Sequence, residues 1–178
     1  MLIVETGQIV AGAESYVTVA EALAYHANRD NSTWSAASTA SQEASLRKAT
    51  AYVDGKYRPR WKGKRVQAAV QPLEWPRFGV RMDGAAPYPT HFAMMPGFFD
   101  LLSTTLIPQQ LKDATCEAAL RALAGDLMAD MDMTKQREKI GPIETWYTSA
   151  RIATEYPAID NLLSGLLVPD GQGSLTRG

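Results

Sequence analysis

One cysteine, Cys116, and two histidines, His26 and His91, stand in a chain of 178 residues. A lone thiol rules out an internal disulfide and fits a reducing compartment. No Cys/His set has zinc-ligand spacing, and G-x-S-x-G, G-x-x-x-x-G-K-[ST] and G-x-G-x-x-G are all missing. The expectation is therefore a protein with no catalytic activity, no metal and no cofactor. Asp126, Asp130 and Asp132 read as a solvated face, because no glycine-centred loop or bidentate Glu follows at calcium-loop spacing. No apolar run approaches the ~18 residues of a membrane span. The opening Met1-Leu2-Ile3-Val4-Glu5 lacks the basic-then-apolar order of a secretory leader. Neither sign of charge is in surplus: 18 basic and 19 acidic residues leave a net charge of −1. A pI near 6.1 is not the footprint of a dedicated nucleic-acid-binding domain.

What is present is ordinary globular composition, 46% apolar and 21% charged, over a length that favours one domain. The fold class expected is mainly α: a small helical bundle with long loops and an extended β-like arm near residues 138–148. Residues 1–168 would form the domain and 169–178 a flexible tail. Thr18 and Glu21 have capping-box spacing and predict a helix over 18–29, with His26 a half-buried aromatic filler. The Ser/Thr/Ala-rich stretch 32–41 reads as a loop anchored by Trp34. A second helix is predicted over 42–57, closed by Gly55 and Pro59. Pro108 suits a first helical position, so a central helix is expected over 108–131, with Ala118, Ala119 and Ala122 on its stripe and Cys116 as a small buried hydrophobe. Leu73-Glu74-Trp75-Pro76-Arg77 reads as a tight, packed corner, and a last helix is predicted over 157–167.

Three segments carry candidate contacts. In Lys56-Tyr57-Arg58-Pro59-Arg60-Trp61-Lys62-Gly63-Lys64-Arg65, six of ten residues are basic and none is acidic. Lys56, Arg58, Arg60, Lys62, Lys64 and Arg65 thus hold a third of all positive charge, and form a candidate DNA- or portal-contacting cluster. From Phe92 to Leu102 the chain is apolar without helical period, and Phe92, Met94, Met95, Phe98 and Phe99 read as a partner surface. Alternation at Ile143, Thr145 and Tyr147 predicts a strand, with Ile140 and Trp146 beside it. Nothing else in the chain reads as its partner, so pairing with another subunit is the expected completion.

Several motifs, in order, carry a resemblance. They begin with Gly12-Ala13-Glu14-Ser15-Tyr16-Val17, Arg47-Lys48-Ala49-Thr50-Ala51-Tyr52-Val53-Asp54, Trp61-Lys62-Gly63 and Leu73-Glu74-Trp75-Pro76-Arg77. Ile107-Pro108, Glu117-Ala118-Ala119-Leu120-Arg121-Ala122-Leu123, Gly141-Pro142-Ile143 and Tyr156-Pro157-Ala158-Ile159-Asp160 follow. Together they resemble the head–tail connector, or head-completion adaptor, proteins of tailed phages, which often carry a DnaT-like single-stranded-DNA-binding label. The resemblance implies a small helical virion protein made in the bacterial cytoplasm. It also implies a homo-oligomeric ring of about twelve copies in the neck, without catalysis. Such a ring docks under the portal protein, meets a downstream stopper or tail-completion protein, and continues the channel for double-stranded DNA. The alternative is a single-stranded-DNA-binding replication accessory protein. There the basic cluster would attract the backbone while Tyr57 and Trp61 stack on bases.

Overall fold

The computed structural model describes residues 1–81, 101–128, 137–140, 143–146 and 155–169. Helix α1, Val19–Ala27, begins where Thr18 Oγ1 accepts from the Glu21 amide and the Glu21 carboxylate accepts from the Thr18 amide, the reciprocal cap that its spacing predicts. The stretch expected to be a loop is instead a short helix, α2 (Ser32–Ala36), followed by the start of α3 (Thr39–Tyr57). Ser38 starts a helix rather than forming a loop: its Oγ accepts from the Ser41 amide at 3.2 Å and caps the N-terminus of α3. Trp34 is fully buried on α2, as an anchor should be.

Along α3, Gln42, Ser45, Leu46, Ala49, Thr50, Val53, Asp54 and Tyr57 are buried, a stripe at three- and four-residue spacing. Helix α4, Gln109–Ala124, faces it with Leu111, Ala114, Thr115, Ala118, Ala119 and Ala122. Alanines on that stripe let the two backbones approach closely, which makes α4 the central helix. It is shorter at its C-terminal end than its pattern predicts, stopping before Gly125, and Pro108 serves as its N-cap rather than its first residue. Helix α5, Pro157–Leu163, packs on α4 through Ile159 and Leu163 and then tightens into a 3₁₀ turn, Ser164–Leu166. No helix among the described residues is long and apolar enough to cross a membrane.

Two antiparallel ribbons complete the mainly α architecture. Strands β1 (Lys64–Arg65) and β2 (Arg77–Phe78) pair Lys64 with Phe78 and Arg65 with Arg77. Strands β3 (Arg137–Ile140) and β4 (Ile143–Trp146) pair Arg137 with Trp146, Glu138 with Thr145, Lys139 with Glu144 and Ile140 with Ile143. The arm therefore has a partner inside its own chain, which corrects the expectation of an unpaired strand. The charged run before it lacks strand propensity, but ladder pairing joins backbone to backbone and does not require it.

The N-terminal segment wraps around a buried acid. Glu5 is 1% exposed, and its carboxylate accepts from the amides of Gly7 at 2.8 Å, Ile9 at 3.0 Å and Val10 at 2.9 Å. Gly7 sits at φ +95°, where a Cβ would lie 1.8 Å from the Thr105 carbonyl oxygen, so no other residue fits there. Glu5→Ala leaves three amides without their acceptor and is expected to destabilise the fold by about 3 kcal/mol in urea unfolding. A loss below about 0.5 kcal/mol would mean that water replaces the carboxylate.

Candidate interaction surface

The basic segment leaves α3 through a 3₁₀ turn, Arg58–Arg60, where Pro59 removes a helix donor, and enters β1. Lys56, Arg58, Lys62 and Arg65 are anchored within the chain. Lys56 Nζ lies 3.2 Å from Asp160 Oδ1 on α5, and the Tyr57 hydroxyl donates to the same oxygen. Burial, reinforced by that carboxylate, pushes the Tyr57 hydroxyl far above the usual phenol range. Arg58 Nε is 3.1 Å from Glu74 Oε1, although its side chain is 69% exposed. Lys62 Nζ donates to the Gly165 carbonyl at 2.9 Å, and Arg65 donates to the Gln71 carbonyl. Arg58 and Lys64 are the exposed cations of the run; Lys56, Arg60, Lys62 and Arg65 are half-buried.

The two aromatic residues of the segment are inside. Tyr57 is 0% and Trp61 5% exposed, their ring centroids 5.9 Å apart. Trp61 also meets Trp75 edge-on at 5.7 Å. A base stacks on an open ring face, so neither ring offers a platform in this conformation. That corrects the sequence-based picture of stacking rings between cations.

Beneath the segment lies a polar junction that the sequence pattern did not single out. Asp54 on α3 accepts from the Tyr16 hydroxyl at 2.6 Å through Oδ1 and from the Glu74 amide at 3.0 Å through Oδ2. The Trp75 amide donates to the same Tyr16 oxygen at 3.2 Å. The Glu74 carboxylate bridges Arg58 and the buried Arg77, whose Nη1 lies 3.0 Å away. Arg77 then donates from Nε to the Lys62 carbonyl at 2.9 Å and from Nη2 to the Gly63 carbonyl at 2.8 Å. Gly63 is held at φ +67°, where a Cβ would come within 2.3 Å of the Phe78 carbonyl oxygen. One buried guanidinium thus fixes the backbone path of the basic run. The only legible clues were Leu73–Arg77 as a packed corner and Asp54 and Asp160 in the motifs of the resemblance.

Burial raises the Asp54 carboxyl to about 6, more than the two donors lower it. Elsewhere, a cleft of about 350 Å³ between α1 and α4 is lined by Glu21, Tyr25, Arg29, Lys112, Asp113 and Cys116, among others. Lys112 pairs with Glu21 at 2.6 Å and the Arg29 guanidinium lies 3.5 Å from the Tyr25 ring centre, so its charges answer one another. Cys116 is 2% exposed, and burial pushes its thiol up to about 12, which removes it as a nucleophile. His26 is buried too: Nε2 is 3.2 Å from the Cys116 carbonyl oxygen and the ring lies against Trp34 at 4.9 Å. No group of three metal-ligating side chains occurs among the described residues.

Of the expected partner contacts, Phe92, Met94, Met95, Phe98, Phe99 and Tyr147 lie outside the described residues, as does the tail from 170. In the β3–β4 register, Ile140 is the backbone partner of Ile143 and Trp146 that of Arg137. The family model described as "Putative DnaT-like ssDNA binding protein" matches residues 1–178, and the chain belongs to that family. No curated protein and no solved structure matches the chain.

Asp54 has an ordinary carboxyl value of 3.8 when exposed and about 6 in the fold. Its contribution to stability is therefore complete below pH 3.8 and lost as pH rises through 6. Tyr16→Phe removes a donor to the charged form, so its cost is expected to be about 1.5–3 kcal/mol at pH 7.5 and smaller at pH 4.5. Urea unfolding at both pH values measures this. An equal cost at both would show that Asp54 does not titrate between them.

Proposed function

We propose that this chain is a non-enzymatic structural adaptor of a tailed-phage neck, assembling as a ring under the portal and continuing the DNA channel toward the tail. The order of motifs from Gly12 to Asp160 supports the connector resemblance along most of the chain. The observation that carries the choice over single-strand binding is the burial of Tyr57 and Trp61, the rings a single strand would need. Anchoring of Lys56, Arg58, Lys62 and Arg65 by partners within the chain points the same way. A sticky lumen would slow DNA passage, and a channel protein gains from cations whose charge is answered locally. Val70 and Phe78, 68% and 46% exposed around the β1–β2 ribbon, suit contact with a neighbour. A closed ring requires head-to-tail interfaces of this unlike-surface kind.

The family's description favours the second reading, a single-stranded-DNA-binding protein. Light scattering of the purified chain, alone and with portal protein, separates the two. The adaptor is expected to form a ring or to bind portal, and to bind oligonucleotide only weakly near physiological salt. A strict monomer that ignores portal, with sub-micromolar affinity for a single strand, would reverse the assignment. Deletion of residues 137–146 is expected to abolish ring formation while the helical circular-dichroism signal stays. Loss of that signal would place the hairpin in the folding core instead.

A further inference from the structure

The chain carries its two signs of charge in different places. Residues 58–81 hold seven basic residues and one acid, Glu74, whereas over residues 100–132 the acids lead six to two. Each surplus reaches the surface beside bare apolar side chains. At the β1–β2 ribbon, Lys64 is exposed and its cross-strand partner Phe78 is 46% exposed. Val70, 68% exposed, lies in the connection between the strands, which Gln71 draws back toward β2 by donating to the Pro76 carbonyl at 2.9 Å. Just past the end of α4, buried Leu127 pins a short stub whose flanking residues stand outward, the Asp126 side chain 72% and Met128 67% exposed. The two patches are well apart. Asp126 meets Lys48 partway along α3, the ribbon follows the end of that helix, and from Lys48 to Tyr57 the helix rises about 14 Å.

We infer that these patches are the two halves of one contact between copies of this chain: the ribbon of one copy, through Lys64, Val70 and Phe78, seats on the Asp126–Met128 stub of the next. The charges are opposite, and a thioether packs well against an aromatic ring. Ribbon against ribbon, or stub against stub, would oppose like charges, so the pairing selects the unlike faces. A foreign partner would need one patch only. Both signs on one chain, each beside its own apolar side chains, point to a second copy. Lys48 stands 3.3 Å from Asp126 with both side chains more than half exposed, a pair weak enough to give way to a neighbour's cation. Contact between unlike faces is head-to-tail and propagates from copy to copy until it closes. The inference rests on the ring of the adaptor reading and goes further by naming the surfaces that meet.

Two full-length variants separate the halves. Val70→Asp with Phe78→Asp blocks the ribbon, and Asp126→Lys with Met128→Lys blocks the stub; all four positions are exposed, and circular dichroism checks each fold. Sedimentation velocity follows self-association over a concentration series at low and physiological salt. The wild-type chain is expected to associate, more tightly at low salt. Each variant alone is expected to associate at least about tenfold more weakly, the loss that follows removal of an interfacial anchor. Mixed in equal amounts, the two variants are expected to form a pair and nothing larger, because one intact ribbon then meets one intact stub. A wild-type chain monomeric throughout, a folded variant that associates like the wild type, or a mixture that stays monomeric or grows past a pair overturns the contact. Where a double variant does not fold, Lys64→Glu or Asp126→Lys alone replaces it under the same criteria. Portal binding, measured separately, decides the adaptor reading. A chain that passes this test yet ignores portal keeps the contact and loses the neck; one that binds portal while both variants assemble normally does the reverse.

Discussion

The carboxylate of Asp54 is the constraint on which this part of the molecule depends. It is buried on α3, and its two oxygens take donors from the N-terminal segment and from the Leu73–Arg77 corner. A buried charge of this kind is costly unless its lone pairs are filled. Filling them ties together three stretches far apart in sequence. From the corner, Glu74 and Arg77 carry the constraint outward to Arg58, Lys62 and Gly63. The basic run is held in place from below by this acid–guanidinium network and from above by the stretch after α5. Its shape is set by neutralisation as much as by exposure.

That arrangement separates two properties that composition alone runs together. A segment in which six of ten residues are basic reads as an electrostatic footprint. In the fold, a carboxylate stands against Lys56 and another against Arg58, and backbone carbonyls receive Lys62 and Arg65.

Local signals in the sequence were faithful where the interaction itself is local. The Thr18–Glu21 cap, the stripes of α3 and α4, the anchoring of Trp34 and the burial of Cys116 all involve neighbours within a turn or a plain apolar preference. The misreadings have one cause. Of the serines in residues 32–41, Ser32, Ser35 and Ser41 lie within helices and Ser38 caps the start of α3, and propensity alone cannot tell a cap or a short helix from a loop. Three of the four residues of strand β3 are charged, and the strand forms through backbone pairing with β4. The partners of the basic run, Asp160 and Gly165, are more than a hundred residues away from Lys56 and Lys62, beyond any window of periodicity. Arg77 was visible as part of a corner, but nothing in its flanks says that it grips the Lys62 and Gly63 carbonyls.

The buried cysteine gives the molecule an internal clock for opening. With its sulfur enclosed beside α1 and its proton held tightly, Cys116 is invisible to thiol-reactive dyes while the helices stay together. Labelling can proceed only through molecules whose α1–α4 seam has parted, so the rate of dye uptake counts those excursions directly, one thiol per chain.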